Sequence, residues 1–233
     1  MSDREYFRRR NPREAWDLDE RKEPEHLVKT YPSLPYGTDS HLSLYAFDKL
    51  DGSNVRAEWT KKKGWTKFGT RHRLVDATDP VFGKVPDIIV AKYGDSIPAA
   101  LQECGWDKAM CFFEFWGPGS FAGMHDPKAT QTVTLFDVAP YKEGILDPAM
   151  FLGCFGHLDV PRVLLANDKV TPEFIESVRA STLPGMTFEG VVFKAKNDKK
   201  TKQPIMFKQK SRAWLDKLHE YCGDNKDLFN ALI

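Results

Sequence analysis

The feature that constrains the fold most strongly is a series of short runs of β-type residues. Turn residues separate these runs, and the runs do not alternate regularly with helices. The clearest runs are residues 42–47, 55–60, 64–70, 110–117, 132–140, 187–196 and 204–210. A parallel sheet needs a long crossover, usually a helix, between consecutive strands. The pattern therefore predicts an α+β fold built on antiparallel sheets, with a hairpin turn at residues 61–64.

Three segments are typical of helices. Residues 87–105 have apolar residues at helical spacing and predict one continuous helix. Residues 171–181 predict a helix with Thr171 as its N-cap and Pro172 in its first position. The last segment contains a helix that ends at Gly223.

This last segment is apolar on one predicted face. Asp224 is a candidate cap for a final turn. The residues expected to pack inward are Trp214, Leu215, Leu218, Tyr221, Cys222, Leu228, Phe229, Leu232 and Ile233.

The charges of the sequence are almost balanced. Its 233 residues include 34 Lys and Arg and 33 Asp and Glu, which gives a formal net charge of +1. A protein that coats nucleic acid through overall positive charge is excluded, but a local basic groove is not. Two clusters are candidates for such a groove, or for solvated turns: residues 61–63, and Lys199, Lys200 and Lys202.

Several features point to a cytoplasmic protein without membrane contact. No stretch of about 18 apolar residues is present, and the N-terminus is charged where a signal peptide needs an apolar run. The four cysteines form no CxxC pair, which argues against a zinc ribbon and favours a reducing compartment.

The chain divides into three predicted parts. Residues 1–35 are a charged arm and a linker, because residues 31–36 contain two prolines. Residues 36–212 form the folded domain, and residues 213–233 form a short helical extension packed on it. Four arginines of the arm are candidates for phosphate contacts: Arg8, Arg9, Arg10 and Arg13.

A lysine followed by a tight turn lies between two strand-like segments, in residues 47–54. Lys49 follows an apolar run, and Asp51-Gly52 favours a turn. An ordinary surface hairpin explains this motif when it is taken alone, because short motifs often match by chance.

A second candidate is a single carboxylate, Glu114, in the apolar run 111–117. Burial of a carboxylate is costly without a partner, so such a residue usually has a function. The alternative is an exposed strand face, since side chains alternate along a strand.

Two further charged elements follow. Glu189 precedes a glycine and a β-branched run, and Lys208 and Lys210 are two positions apart, so both point to one face of a strand. Paired positive charges favour an anionic ligand and lower the pKa of a neighbouring lysine. A solvated strand face explains the lysine pair alone, but the order of all four elements is harder to dismiss.

In order, the segments KLDGSN, FEFWG, FDV, EGVVFK and KQK resemble motifs I, III, IIIa, IV and V of the covalent nucleotidyltransferases. This superfamily contains DNA ligases, RNA ligases and mRNA capping enzymes. The resemblance runs from Lys49 to Lys210 and includes the interval between Glu189 and Lys208. It implies a nucleotidyltransferase (ATP-grasp-like ligase) domain of antiparallel sheets flanked by helices.

Within the superfamily, the sequence is most similar to RNA ligases of the nick-sealing type. These carry Asn five positions after the nucleophilic lysine, as Asn54 does here (54 − 49 = 5), where DNA ligases and capping enzymes usually carry Arg. The sequence ends at Ile233, soon after Lys210, so no OB-fold domain is expected. The helical C-terminal domain that RNA ligases usually carry is not expected either.

The resemblance implies that Lys49 attacks the α-phosphate of ATP and forms lysyl-AMP. An ordinary lysine has a pKa of about 10.4, and attack needs the neutral amine, so the pKa must be lowered. Lys208, Lys210 and a divalent cation, Mg²⁺ or Mn²⁺, are expected to lower it. The same charges would offset the negative charge on the departing pyrophosphate.

The resemblance also implies the contacts of the nucleotide. Asp48 would read the adenine amino group and Phe136 would stack on the adenine ring. Asn54 belongs to the same nucleotide site, as do Lys208 and Lys210.

Two carboxylates would serve the ribose and the metal. Glu114 would bind a ribose hydroxyl and Glu189 would hold the metal through water, and both are implied as metal-site residues. Arg71 or Arg73 would contact the polynucleotide or its 5′-phosphate.

The reaction implied is ATP-dependent joining of 5′-phosphate and 3′-OH ends through lysyl-AMP and an adenylylated 5′ end, as in RNA repair. RNA is favoured over DNA as partner, and the expected protein is a monomer of the phage type. The alternatives are a minimal DNA ligase, a GTP-dependent capping guanylyltransferase, and a nucleotide- or RNA-binding module that seals nothing.

Overall fold

The computed structural model describes residues 27–121, 128–198, 200–201 and 203–233. The predicted arm lies outside the described residues up to residue 26, and so do Lys199 and Lys202. The segment that follows the arm is part of the fold, because Tyr31 is only 5% exposed and packs on Met110 and Phe112.

Two four-stranded antiparallel sheets form the core of the described chain. The first has the order β6-β1-β7-β8 and the second has the order β3-β2-β4-β5. The strands are β1 (Ser43–Lys49), β2 (Gly52–Thr60), β3 (Gly64–Thr70), β4 (Lys108–Trp116), β5 (Thr132–Pro140), β6 (Val163–Lys169), β7 (Gly190–Lys194) and β8 (Met206–Lys210).

Helices flank these sheets. They are α1 (Val85–Tyr93), α2 (Ser96–Glu103), α3 (Pro148–Phe155), α4 (Pro172–Arg179), α5 (Arg212–Cys222) and α6 (Lys226–Leu232). The predicted α+β class with antiparallel sheets is confirmed. In the part of the chain that the structure describes, every helix is too short or too polar to cross a lipid bilayer.

The predicted continuous helix over residues 87–105 is wrong, because the structure has two helices there, α1 and α2, with Gly94 and Asp95 between them. Pro98 lies four positions after Gly94. The ring of a proline clashes with the carbonyl group four positions earlier and breaks a continuous helix there.

The sequence patterns missed one strand, β6. It lies at the edge of the first sheet, and its second half is exposed and polar. An edge strand of this kind has no alternation of apolar and polar residues, so it lacks the usual signal of a strand.

The predicted N-cap of α4 is confirmed. Thr171 accepts a hydrogen bond from the Phe174 amide.

The C-terminal segment is helical as predicted, but it packs less completely than its apolar pattern indicated. Tyr221 is 65% exposed and Leu232 is 45% exposed, whereas Trp214 and Leu218 are buried. The cap of α6 is Asn225 and not Asp224, since the Asn225 side chain accepts from the Leu228 amide.

Candidate nucleotidyl-transfer site

The centre of the site is a row of three residues across the first sheet. Lys49 at the end of β1 pairs with Gly190 at the start of β7, and Gly190 pairs with Lys210 at the end of β8. Gly190 has φ +141°, and a Cβ atom there would lie 2.1 Å from the Gln209 carbonyl oxygen. Only glycine therefore allows the two lysines to flank this position so closely.

Glu189 joins the two lysines. Its Oε2 lies 2.9 Å from Lys49 Nζ and its Oε1 lies 3.1 Å from Lys210 Nζ. Glu189 and Lys210 are buried, and the Lys49 side chain is 21% exposed. Lys49 and Glu189 are far apart in the sequence, and strand pairing brings them into direct contact.

The second sheet contributes Glu114 and Asn54, which are cross-strand partners on β4 and β2. Burial raises the pKa of Glu114 to about 8, against the opposing effect of Lys49. Glu114 is half-buried and lines the cavity, so it does not lie on the exposed strand face that sequence alternation allowed. A carboxyl group in this position stays largely protonated near neutral pH until a cation or another positive charge approaches.

The charge state of Lys49 differs from the sequence-based expectation. Burial lowers the pKa of the Lys49 amine, but the carboxylates of Glu189 and Glu114 raise it more, so the pKa lies above its ordinary value. The lowering expected from Lys208, Lys210 and a divalent cation together is not reached by the two lysines alone, because the carboxylate of Glu189 is in direct contact with Lys49.

The neighbouring lysines are the ones with a lowered pKa. Burial lowers the pKa of Lys210 to about 8, and burial together with Lys49 lowers the pKa of Lys208. Two cationic groups held in this way are costly to keep charged, and an added anion would stabilise them.

Asp48 is held from the loop before β7. Its Oδ1 accepts hydrogen bonds from the backbone amide of Thr187 at 2.9 Å and from the Thr187 hydroxyl at 3.1 Å. Burial raises the pKa of Asp48. The structure thus gives Asp48 a structural partner in addition to its predicted contact with adenine.

Phe136 lies in front of a buried polar group that the sequence patterns did not reveal. Lys194 Nζ donates to the Phe136 carbonyl oxygen at 2.9 Å and to Asp137 Oδ2 at 2.7 Å. The Tyr31 hydroxyl donates to the same Asp137 oxygen at 2.5 Å, and its ring packs edge-on against Phe136. These contacts fix the backbone and the ring of Phe136.

The structure distinguishes the two arginines that the sequence left open. Arg73 pairs with Asp79 through a short contact. Both arginines line the same cavity as Lys49, but the buried Nε of Arg71 has no hydrogen-bond partner. Arg71 is therefore the better candidate for a ligand contact.

Asp51 and Trp214 are further residues of the site that were not identified from the sequence. Trp214 Nε1 donates to Asp51 Oδ1 at 2.9 Å, and Lys210 Nζ lies 3.2 Å from the centre of the Trp214 ring. The helical spacing of α5 marked Trp214 only as a core residue, and Asp51 was assigned only to a turn.

One cavity of about 930 Å³ collects these side chains. The predicted site residues that line it are Asp48, Lys49, Asn54, Arg71, Glu114, Phe136, Glu189, Lys208 and Lys210. Lys61–Lys63 lie in the turn between β2 and β3, outside this lining.

The cavity also contains two buried polar atoms without a hydrogen-bond partner, Oδ1 of Asn54 and Nε of Arg71. Because buried polar atoms are normally hydrogen-bonded, this acceptor and this donor fit a polar ligand that would hydrogen-bond to both.

The carboxyl groups of the site also fit a cation that would bind a phosphate ligand at the same time. Among the described residues, no group of three or more His, Cys, Asp or Glu side chains could hold a metal alone. Glu114 and Glu189 supply two carboxyl groups, and Mg²⁺ commonly takes one or two carboxylates together with waters and substrate phosphates.

The two antiparallel sheets have the fold of a nucleotidyltransferase domain, and the lysines and glutamates of the site lie between them. Solved structures with a similar fold include RNA ligases. A Naegleria gruberi RNA ligase variant with ATP and Mn matches with TM-score 0.55 at 17% identity, over 76% of this chain and 51% of that chain. A second variant of that ligase, with AMP and Mn, matches with TM-score 0.56 at 16% identity, over 82% of this chain and 60% of that chain.

An archaeal ATP-dependent RNA ligase matches with TM-score 0.57 at 16% identity, over 84% of this chain and 52% of that chain. This chain therefore spans between half and two thirds of the length of these neighbours. No family model and no curated protein matches the sequence. The resemblance to RNA ligases is thus confirmed at the level of the fold.

Proposed function

We propose that this protein is an ATP-dependent RNA ligase that takes AMP in covalent linkage on Lys49. The contact of Glu189 with both Lys49 and Lys210, at 2.9 and 3.1 Å, carries the proposal. An amine, a carboxylate and a second cation thereby meet at one point of a cavity large enough for a nucleotide. The RNA ligase neighbours, with ATP or AMP and Mn in their structures, support the same chemistry.

In the first step, Lys49 Nζ attacks the α-phosphorus of ATP. A P–N bond forms, the bond from the α-phosphorus to the bridging oxygen breaks, and pyrophosphate leaves with that electron pair. The amine must first lose a proton to solvent, and Glu189 Oε2, in contact with Lys49 Nζ, orients the amine for attack. Lys208 and Lys210 offset the charge that develops on the phosphate oxygens.

Bound Mg²⁺ or Mn²⁺ would polarise the α-phosphate and would offset the charge of Glu189, the carboxylate that contacts Lys49 and raises its pKa most. Around this point, the protein orients the nucleotide. Phe136 offers its ring to adenine, and Asn54 and Arg71 offer their unpaired polar atoms to the ligand.

In the later steps, AMP passes from Lys49 to the 5′-phosphate of a polynucleotide, and a 3′-OH then displaces AMP to form the phosphodiester bond. We propose RNA as the preferred polynucleotide, because Asn54 occupies the position typical of the nick-sealing RNA ligases and the structural neighbours are RNA ligases. We also propose that the chain acts as a monomer, with residues 36–212 as the nucleotidyltransferase domain and residues 213–233 packed on it.

Incubation with α-labelled ATP or GTP, followed by a denaturing gel, tests the first step. We expect one labelled band with ATP and Mg²⁺ or Mn²⁺, which is absent in Lys49→Ala and retained in Lys61→Ala, a variant of an exposed turn lysine. Labelling by GTP alone would support a capping enzyme. A band that survives in Lys49→Ala would reject Lys49 as the nucleophile.

A joining assay on 5′-phosphorylated nicked duplexes tests the later steps. We expect joined product with an RNA strand at the nick, and less with DNA. A protein that labels itself with AMP but joins no substrate would refute the ligase assignment and favour a module that only binds the nucleotide.

A further inference from the structure

Three aromatic side chains form one end of the cavity, and none of them is a reacting group in the proposed chemistry. We call Phe121, Trp214 and Tyr221 the aromatic rim. The Phe121 ring lies 5.4 Å from the Trp214 ring and 5.3 Å from the Tyr221 ring, edge-on to the latter. Trp214 is buried, but Phe121 is 40% exposed and Tyr221 is 65% exposed.

The aromatic rim is continuous with the reacting groups. All three residues line the cavity that contains Lys49. Trp214 packs against Lys210 Nζ at 3.2 Å from its ring centre, and Lys210 in turn contacts Glu189. One ring therefore separates the exposed aromatic surface from the charged groups that would hold phosphate.

The adenine of ATP already has a different partner in the proposed function. Phe136 lies on β5 and packs against Tyr31 and Phe112, whereas the aromatic rim is built around α5. The cavity volume of about 930 Å³ is near the upper end of the range of roughly 300–1000 Å³ for small-molecule sites. It leaves room for more than a single mononucleotide.

We propose that the aromatic rim stacks the nucleobase that adjoins the 5′-phosphate of the polynucleotide accepting AMP. Unstacked bases bind to exposed aromatic rings with little sequence preference, because every base presents a π face. An exposed ring next to a cationic cavity meets the two requirements of such a ligand, a flat face for the base and positive charge for the phosphate. This inference rests on the proposed ligase function and names a contact of its polynucleotide substrate.

The test is the affinity of the protein for a 5′-phosphorylated RNA of about 12 nucleotides, measured by fluorescence anisotropy. We expect Tyr221→Ala to weaken binding by roughly tenfold and Tyr221→Phe to bind as the unaltered protein does, since only the ring is needed. Phe121→Leu keeps an apolar side chain without a ring and should also weaken binding. Tyr141→Ala, a tyrosine outside the cavity lining, is the matched control.

An RNA that lacks only its first nucleobase identifies the stacked base. With this abasic RNA, the unaltered protein should lose about as much affinity as Tyr221→Ala loses with the complete RNA. The two changes together should cost little more than either one, because they remove the same contact. Additive losses, or unchanged affinity in Tyr221→Ala, would overturn the proposal.

Self-adenylylation separates this inference from the ligase assignment. Tyr221→Ala should label with AMP at the rate of the unaltered protein, while transfer of AMP to the RNA end falls. If the unaltered protein fails to label, the proposed ligase function fails, and the RNA-binding comparison still decides whether the aromatic rim stacks a base. Equal thermal midpoints of the variants will show that their folds are intact.

Discussion

Trp214 and Asp51 are joined by a hydrogen bond of 2.9 Å across 163 residues of sequence. Asp51 follows the proposed nucleophile by two positions, and the Trp214 ring lies under Lys210 Nζ. One side chain of α5 therefore fixes both the turn after Lys49 and the cation that contacts Glu189.

We expect Trp214→Phe to preserve the ring under Lys210 but to remove the donor to Asp51. Loss of a partner to a buried carboxylate should lower the free energy of unfolding by about 1–3 kcal/mol, which chemical denaturation will measure. Trp214→Leu also removes the ring, so it should slow self-adenylylation further and change its pH profile. Identical pH profiles in the two variants would argue against support of Lys210 by the ring.

The raised pKa of Lys49 predicts a low reactivity of its amine in the free protein. An acylating reagent modifies only neutral amines, so Lys49 should react more slowly than the exposed Lys61 at pH 8–10. In Glu189→Gln, the largest opposing charge is lost and the pKa of Lys49 should fall, which will move its reaction to lower pH. Peptide mass spectrometry will follow each lysine, and an unchanged profile would contradict this account of the site.

Glu114 predicts how stability depends on pH. Its pKa is about 8 in the folded protein and near 4.5 in the unfolded chain, so the folded state holds a proton that the unfolded state loses between these values. The free energy of unfolding should therefore fall as the pH rises from 5 to 8.

Glu114→Gln should remove this part of the decrease, on the order of 2 kcal/mol since the side chain is partly exposed. Urea unfolding at several pH values in buffer without divalent cations will compare the two proteins. Parallel curves would show that Glu114 does not titrate in this range.

Gly190→Ala should disrupt the row formed by Lys49, Gly190 and Lys210. The added Cβ would meet the Gln209 carbonyl oxygen at 2.1 Å, and the φ angle of +141° disfavours any side chain. We expect a loss of several kcal/mol of stability and of self-adenylylation.

Gly153→Ala in α3 is the matched control for this substitution, because nothing lies within 4 Å of the added atom. In a helix interior, alanine should raise stability by about 0.5–1 kcal/mol. Thermal unfolding of both variants will check the pair, and equal effects would exclude strand contact as the cause.

The buried ion pair of Lys194 and Asp137, beside Phe136, predicts that removal of one charge costs more stability than removal of both. Lys194→Met leaves the Asp137 carboxylate without its cation and should cost about 3–5 kcal/mol. The double variant Lys194→Met, Asp137→Leu removes both charges and should recover most of this loss. Affinity for ATP, measured by calorimetry, should fall in the single variant because Phe136 loses the contact at its carbonyl oxygen. Equal stability of the single and double variants would contradict the pairing.

Local sequence patterns predicted most of the strands, and they identified charged residues that the structure gathers in one cavity. Lys49, Glu189 and Lys210 lie in short segments whose strand character is visible in the sequence, so antiparallel pairing could be expected to gather them. The break between α1 and α2 was also readable, since Pro98 marks it, although the apolar spacing outweighed it.

The remaining features depend on contacts that no local pattern contains. The partners of Asp137, namely Tyr31 and Lys194, are 106 and 57 residues away from it in sequence. The sign of the pKa shift of Lys49 depends on direct contact with Glu189, which spacing cannot reveal. Trp214 has the same helical spacing as ordinary core residues of α5, so its function in the cavity was hidden.

The pairing of Asp51 with Trp214 has a consequence for biosynthesis. The ribosome makes Trp214 165 residues after Lys49 (214 − 49 = 165). A nascent chain thus contains the Lys49 amine before the indole that braces the neighbouring turn exists. A polypeptide that stops before Trp214 therefore contains Lys49 without the hydrogen bond to Asp51 and without the ring under Lys210.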